Sequence, residues 1–146
     1  MYEKVLLAYD GSVEGRLALR EGARLARRCK SEVFLLAVVD LSTGFAMAEG
    51  AAPGAAEHQQ GAYREILAEG VQRLKAMGFA PTARLEFGDP ANQIAAVAHE
   101  IGASLVVVGH RRQGTFARWW RGSVGANLLE QLECSLLIAQ LDLGEG

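Results

Sequence analysis

Two hydrophobic periodicities alternate along the chain and predict an alternation of strands and helices. Residues 5–9 and 33–39 are almost uninterruptedly apolar, which is typical of short strands buried on both faces of a sheet. Residues 13–28, between these runs, repeat apolar side chains at helical spacing and place arginines on the opposite face. A second amphipathic pattern over 63–77 predicts another helix, which Gly78 ends as a C-terminal cap.

The same alternation continues in the second half of the chain. Five further elements are predicted there: strands over 82–87, 105–108 and 135–139, and helices over 90–101 and 123–132. The first of these helices has the clearest boundary signals, because Pro90 suits a first helical position after Asp89 as N-cap. Gly102 suits the end of the same helix. Residues 40–56 are rich in glycine and alanine and are predicted to form a long loop.

The order of the elements predicts one α/β domain that spans residues 1–146. Strands that alternate with helices are joined by crossover connections, which give a mainly parallel sheet with helices on both faces. We therefore expect a single doubly wound, five-stranded sheet of the Rossmann-like class. Such sheets bind ligands outside the carboxyl ends of their strands, where the strand order reverses. Asp10 and Gly109 are expected to lie at those ends.

Composition and charge exclude several classes of function. The longest apolar runs hold about seven residues, far fewer than the roughly 20 that cross a bilayer, so no membrane association is expected. The chain opens without a secretory pattern, and Cys29 and Cys134 match no metal or redox spacing, so we expect a cytoplasmic protein with reduced thiols. A net charge of −2 offers no general attraction for nucleic acid.

The segment LVVVGHRRQGTFARWWRGSV, residues 105–124, has the pattern of an anion-binding loop. Gly109 follows a short predicted strand, and Gly122-Ser123 opens the final predicted helix. Backbone N–H groups at a helix N-terminus, together with the positive end of the helix dipole, bind phosphate in α/β proteins. The sequence therefore predicts a phosphate site here. The alternative is that Gly109 is a turn glycine and Ser123 an N-cap, without any ligand.

The chain resembles the universal stress proteins over nearly its whole length. The likeness is carried by four segments of this sequence: VLLAYDGS, EVFLLAVVD, FGDPANQI and VVVGH…GSV. The nucleotide-binding branch of that family carries the loop G-x2-G-x9-G-[S/T]. Here Gly109 and Gly122-Ser123 keep the outer spacing, and Arg112 replaces the middle glycine. The resemblance implies the adenine nucleotide alpha hydrolase-like form of the Rossmann-like fold, and a stress-response or signalling role.

The same resemblance implies an adenine nucleotide as ligand: ATP, or AMP or ADP, with Mg²⁺ as a further candidate. The nucleotide-binding residues that it implies lie at three strand ends and around the start of the final helix: Ala8, Asp10, Val38, Val108, Gly109, Arg112, Gly122, Ser123 and Val124. Ala8 and Val108 would wall the base pocket, and Val38 would offer backbone groups to the adenine edge. Asp10 would accept hydrogen bonds from the nucleoside; its alternative role is to cap the first helix together with Ser12.

Arg112 leaves two functions open. A position that requires positive φ or bare backbone would be strained and crowded by arginine, at about 1 kcal/mol or more, and the chain would then be an interaction module of the same fold that binds no nucleotide. Alternatively, Arg112 and its neighbours His110, Arg111, Arg118 and Arg121 hold the phosphates by charge. Binding of ATP to the purified protein discriminates between the two.

No dedicated catalytic machinery is predicted, so we expect no enzyme, with at most slow incidental ATP hydrolysis. The sequence contains no G-x-x-x-x-G-K-[ST] phosphate loop and no evident base for activating water. An adenylating enzyme of the related alpha-hydrolase group is disfavoured. Such enzymes carry a Ser/Gly-rich loop after strand one, where this chain has only Gly11 and Ser12.

The last predicted strand, SLLIA from Ser135 to Ala139, is expected at an edge of the sheet. An exposed apolar edge can pair with a second chain, and the resemblance implies a homodimer through this strand. The alternative is that the tail LDLGEG covers the edge. The two alternatives predict different oligomeric states.

Overall fold

Strands and helices alternate throughout the part of the chain that the computed structural model describes, residues 1–40, 55–110 and 128–140. The elements are β1 (Lys4–Ala8), α1 (Val13–Cys29), β2 (Glu32–Val39), α2 (Ala55–Ala76), β3 (Thr82–Phe87), α3 (Pro90–Ile101), β4 (Leu105–His110) and β5 (Ser135–Gln140). Residues 128–131 form a further helical turn before β5. The predicted α/β order is confirmed.

All five strands are parallel and lie in the order β3-β2-β1-β4-β5. The chain builds outward from β1 through β2 to β3, and then returns to place β4 and β5 on the other side of β1. Leu7 of β1 is therefore level with Leu35 of β2 and with Val107 of β4. The strand order reverses between β1 and β4, so the predicted doubly wound sheet is confirmed.

Different helices cover the two faces of the sheet, because successive strand residues point in opposite directions. On one face, Leu6 of β1 packs in a cluster with Ile94 of α3. On the other face, Leu7 packs in a second cluster with Leu19 of α1 and Leu74 of α2. These side chains are at most 3% exposed. Each such buried leucine or isoleucine contributes roughly 1.5–3 kcal/mol relative to an exposed one.

The helix ends follow the predicted cap residues. Asp89 is the N-cap of α3 and accepts a hydrogen bond from the backbone N–H of Asn92 at 3.0 Å, with Pro90 as the first helical residue. Gly102 caps the other end of α3 in the left-handed region, at φ 72°. Gly78 follows α2 with φ 95°. The predictions at these cap positions are confirmed.

Several element boundaries differ from the sequence prediction, and most of them differ by only one or two residues. α2 begins at Ala55 and not at residue 63, so residues 55 and 56 are helical instead of part of the predicted loop. The segment AAEHQQGA holds good helix formers but no apolar periodicity, and a prediction from periodicity therefore misses it. β4 and β5 continue to His110 and Gln140, beyond their predicted ends, because the two strands keep pairing up to those residues.

Two predictions lie partly outside the described residues. Most of the predicted loop, 41–54, and the predicted start of the final helix at Ser123 belong to the part of the chain that the structure does not describe. The helical residues 128–131 fall within the predicted range of that helix, 123–132.

The two edges of the sheet differ in polarity. β3 forms one edge, where Arg84 Nη2 lies 2.7 Å from Glu86 Oε2 and the same guanidinium pairs with Glu100 of α3. β5 forms the other edge, where the apolar side chains of Leu136 and Leu137 are half-buried. The predicted edge position of β5 is confirmed, and it is the more apolar of the two edges.

Candidate ligand site at the carboxyl edge of the sheet

Three small apolar side chains meet near the carboxyl ends of the central strands. Ala8 of β1, Val38 of β2 and Val108 of β4 belong to one cluster on the face that α3 covers. They are 5%, 7% and 0% exposed, respectively. The alternation of strand residues explains this, because even-numbered residues of β1 and β4 share that face. The structure thus brings together three of the predicted site residues as an apolar wall beside the reversal point.

Asp10 is held in one orientation in the turn between β1 and α1. Its Oδ1 accepts a hydrogen bond from the Ser12 backbone N–H at 2.9 Å and a second from the Ser12 hydroxyl at 2.5 Å. The Ser12 hydroxyl in turn accepts from the Gly15 backbone N–H at 2.9 Å. Ser12 is therefore the N-cap of α1, and Asp10 orients the hydroxyl that does the capping. The half-buried carboxylate stands at the end of β1, as predicted.

Two glycines make room for this turn. Gly11 has φ +80°, a backbone conformation that residues with a side chain rarely adopt. At Gly15, in the first turn of α1, a Cβ would stand only 2.6 Å from Asp10 Oδ1. No role was predicted for Gly15 from the sequence. The available signal was a glycine inside a helix, where it costs about 1 kcal/mol relative to alanine unless packing requires it.

Gly109 is required by packing between β4 and α1. A Cβ at this position would stand 2.4 Å from the backbone oxygen of Glu14 and 3.1 Å from the backbone nitrogen of Gly15. Gly109 also lies within β4, paired with Ala139 of β5, so the prediction that it ends the strand is wrong. The alternative that Gly109 is a turn glycine is wrong for the same reason, because β4 remains paired with β5 up to His110. Close approach of the first turn of α1 explains this glycine without any ligand.

A charged network ties the start of this turn to α2. The Tyr9 hydroxyl donates a hydrogen bond to Glu69 Oε1, and Arg73 Nε donates to the same oxygen at 3.2 Å. Arg16 Nη2 lies 3.7 Å from Glu69 Oε2. Burial raises the pKa of Tyr9, and the hydrogen bond to Glu69 raises it further. The Tyr9 hydrogen bond, followed by that of Arg73, lowers the pKa of Glu69.

The remaining predicted site residues belong to the part of the chain that the structure does not describe. These are Arg112, Gly122, Ser123 and Val124. Asp40, the residue after β2, is buried at 3% exposure on the same edge of the sheet, and no role was predicted for it from the sequence. Within residues 1–40, 55–110 and 128–140, no group of three or more His, Cys, Asp or Glu side chains is arranged to hold a metal ion. The helices in those ranges are too short or too polar to cross a membrane.

Comparison with known proteins gives one family. The sequence model of the universal stress protein family matches residues 1–140. A Staphylococcus aureus (strain USA300) protein named for that family is 27% identical over 149 aligned positions, which cover 97% of this chain and 86% of the relative.

Three solved structures with the same fold carry the same family name. A universal stress family protein from Burkholderia pseudomallei is 28% identical, with a TM-score of 0.70 and coverage of 94% of this chain and 95% of the other. A universal stress protein in complex with cAMP is 25% identical, with a TM-score of 0.68 over 94% and 96%. A family protein from Arabidopsis thaliana with AMP bound has a TM-score of 0.67 over 98% and 94%; at 18% identity it shows the fold alone.

Proposed function

Because the chain belongs to the universal stress protein family, we propose that it binds an adenine nucleotide at the carboxyl edge of its sheet. One observation carries the proposal: an apolar wall and an oriented carboxylate both lie at the carboxyl ends of the strands around the point where the strand order reverses. Ala8, Val38 and Val108 form the wall, and Asp10, two residues after Ala8, is fixed by Ser12. The reversal point is where open α/β sheets bind nucleotides.

The nucleoside would use this wall and this carboxylate in different ways. The flat adenine ring would lie against the apolar side chains, and backbone groups of Val38 would meet its polar edge. The Asp10 carboxylate would accept hydrogen bonds from ribose hydroxyls, a type of bond worth about 1.5–3 kcal/mol when the acceptor is charged. The cAMP complex of a family member at 25% identity supports an adenine nucleotide as the ligand class.

The phosphates would be held by the loop that follows β4. Its sequence offers Arg112, Gly122, Ser123 and Val124 after Gly109. Guanidinium groups and helix N-terminal amides both bind phosphate oxygens, so the arginine at the middle position would replace backbone contacts by charge. ATP, ADP and AMP share this chemistry, and Mg²⁺ would accompany the longer phosphate chains.

The protein would act by binding, in a stress response or in signalling, and not by dedicated catalysis. Two copies would associate through β5, the apolar edge of the sheet. Hydrolysis of bound ATP would be slow and incidental, since the sequence offers no phosphate-loop lysine to assist it.

Nucleotide binding is tested on the purified full chain. After denaturation, the supernatant is analysed for released ATP, ADP or AMP, and each nucleotide is then titrated into nucleotide-free protein by calorimetry. We expect saturable binding that Gly122→Val abolishes, because the added side chain would fill the space that the phosphates approach. A Kd of 1 mM corresponds to a binding free energy of only about 4.1 kcal/mol. If no nucleotide is released and no heat of binding is measured up to about 1 mM nucleotide, the result would favour an interaction module of the same fold.

A further inference from the structure

The outer face of α1 carries a line of arginines. Arg16, Arg20, Arg24 and Arg28 recur at four-residue spacing, and all are exposed. At 1.5 Å per residue, this arginine stripe runs for about 18 Å along the helix. α1 holds five arginines and two glutamates, although the whole chain has a net charge of −2. The positive charge is therefore concentrated on one surface.

The stripe is largely unneutralised by the side chains that the structure describes. Like charges four residues apart on a helix repel each other, so this spacing destabilises α1 slightly. Arg16 pairs with Glu69 of α2 at 3.7 Å. Among the side chains of residues 1–40, 58–109 and 128–140, no acidic group forms an ion pair with Arg20, Arg24 or Arg28. Three guanidinium groups are thus available for a partner.

An apolar groove runs beside the stripe, between α1 and α2. Its volume is about 470 Å³, and its lining includes Val13, Leu17 and Met77, with Arg73 on the α2 side. Val13 is 59% exposed, which is high for a valine at the start of a packed helix. Arg16 and Arg20 belong to the arginine stripe and also line the groove. Apolar and cationic groups therefore form one continuous surface, called the α1/α2 surface below.

We propose that the α1/α2 surface docks an acidic amphipathic helix of a partner protein. Apolar side chains on one face of that helix would fill the groove, and its flanking carboxylates would pair with the arginine stripe. The charge extends over three helical turns, which is longer than a small anion can span. A nucleic-acid backbone would leave the apolar lining uncovered, and the net negative charge of the chain opposes long-range attraction to it.

This surface adjoins the proposed nucleotide site only at the start of α1, where Val13 follows Ser12, and the rest of the arginine stripe lies further along the helix. α1 and α2 pack on one face of the sheet, while Ala8, Val38 and Val108 belong to the cluster on the other face. The proposal therefore goes beyond nucleotide binding and does not depend on it. Loss of one activity by mutation can be measured while the other is retained.

The test uses a synthetic helical peptide as the probe. Leucines at i, i+3, i+4 and i+7 form its apolar face and glutamates flank them; a matched peptide carries lysine in place of every glutamate. We expect the glutamate peptide to bind the full chain saturably in fluorescence anisotropy, more weakly as salt rises from about 50 to about 300 mM, and the lysine peptide not to bind. Amide shifts of ¹⁵N-labelled protein should map to α1 and the end of α2.

Variants separate the two parts of the surface. Arg20→Glu should weaken peptide binding about tenfold, whereas Arg64→Glu, an exposed arginine of α2 outside the groove, makes the same change in net charge and should leave binding within about twofold. Val13→Ser should weaken binding several-fold by removing part of the apolar lining. Circular dichroism verifies that each variant is folded.

Several results would overturn the proposal. These are no saturable binding of the glutamate peptide, equal losses for Arg20→Glu and Arg64→Glu, unchanged binding by Val13→Ser, or amide shifts centred on another surface. Tighter binding of a double-stranded oligonucleotide than of the peptide, lost in Arg20→Glu, would assign the surface to nucleic acid instead.

Discussion

Gly109 of β4 lies so close to the Glu14 backbone that a Cβ at position 109 would stand 2.4 Å from the Glu14 carbonyl oxygen. A Cβ essentially never approaches a non-bonded heavy atom so closely, so any larger residue at this position must push α1 away from the sheet. The Asp10 turn leads directly into α1, and its hydrogen bonds end at Gly15. The geometry of the candidate site therefore depends on the absence of a side chain at Gly109.

Gly109→Ala should lower the free energy of unfolding by about 1–3 kcal/mol, because backbone atoms cannot yield as a flexible side chain would. Urea denaturation of both proteins measures the change. Gly61→Ala is the matched control: Gly61 lies in α2 with nothing within 4 Å of its Cβ position, so alanine should stabilise the helix by about 0.5–1 kcal/mol. Equal stability of the wild type and Gly109→Ala would contradict the packing argument.

Asp10→Asn should weaken nucleotide binding about tenfold or more, because a neutral amide oxygen accepts hydrogen bonds less strongly than a carboxylate. The fold should survive, since Ser12 remains the N-cap of α1. Calorimetric titration with ATP and AMP gives the affinities. Asp89→Asn, at the N-cap of α3 and after the edge strand β3, is the control and should bind as the wild type does. Similar losses in both variants would argue against a direct contact with Asp10.

Arg112→Gly tests how the altered loop holds phosphate. Under the proposed function, the positive charge of the Arg112 guanidinium replaces the backbone contacts that a glycine would make with the phosphates. Removal of this side chain should therefore weaken the binding of ATP more than that of AMP. Arg111→Gly removes the same charge at the neighbouring position, so comparison of the two variants shows how much of the loss is specific to position 112. Tighter binding by Arg112→Gly would mean that the side chain obstructs the site. An unchanged affinity would mean that it points elsewhere, and both explanations would fail.

Glu69 should make folding stability depend on pH in the acid range. Its folded pKa is lowered by Tyr9 and Arg73, so its contribution is present above the unfolded pKa of about 4.3 and is lost as pH falls through the folded value. The stability difference between wild type and Glu69→Gln should therefore be larger at pH 7 than at pH 3. Urea denaturation at both pH values measures it. Glu65→Gln, at an exposed glutamate of the same helix, is the matched variant that leaves the hydrogen bonds of Glu69 with Tyr9 and Arg73 in place.

The oligomeric state distinguishes the two alternatives for β5. We expect a dimer in analytical ultracentrifugation, and a folded monomer for Leu136→Lys, because a charge at the edge opposes pairing with a second chain. Deletion of residues 141–146 should leave the dimer intact. A monomeric wild type that begins to associate after this deletion would instead indicate that the tail covers the edge.

The strands could be predicted from the sequence, because their burial follows from local runs of apolar residues. The run at 33–39 needs no knowledge of distant residues to be identified as a strand. The caps of α3 could be predicted for the same reason, since Asp89, Pro90 and Gly102 act within one helical turn. Whether the chain dimerises or hydrolyses ATP stays a prediction.

The packing around the site could not be predicted, because it depends on contacts between residues far apart in sequence. Nothing local to Gly109 indicates that Glu14 approaches it, and Tyr9 meets Glu69 across 60 positions. The early start of α2 was missed for another reason: its first residues favour a helix by propensity alone, which is a weaker signal than apolar periodicity.

The charged edge at β3 has a consequence for assembly. Arg84 and Glu86 place charged side chains on the edge strand β3. A further strand could pair with this edge only after these charged groups had been desolvated. In a dimer joined through β5, the charged β3 strands would form both outer edges of the combined sheet. Assembly would then stop at two subunits and would not continue as an open, extended sheet.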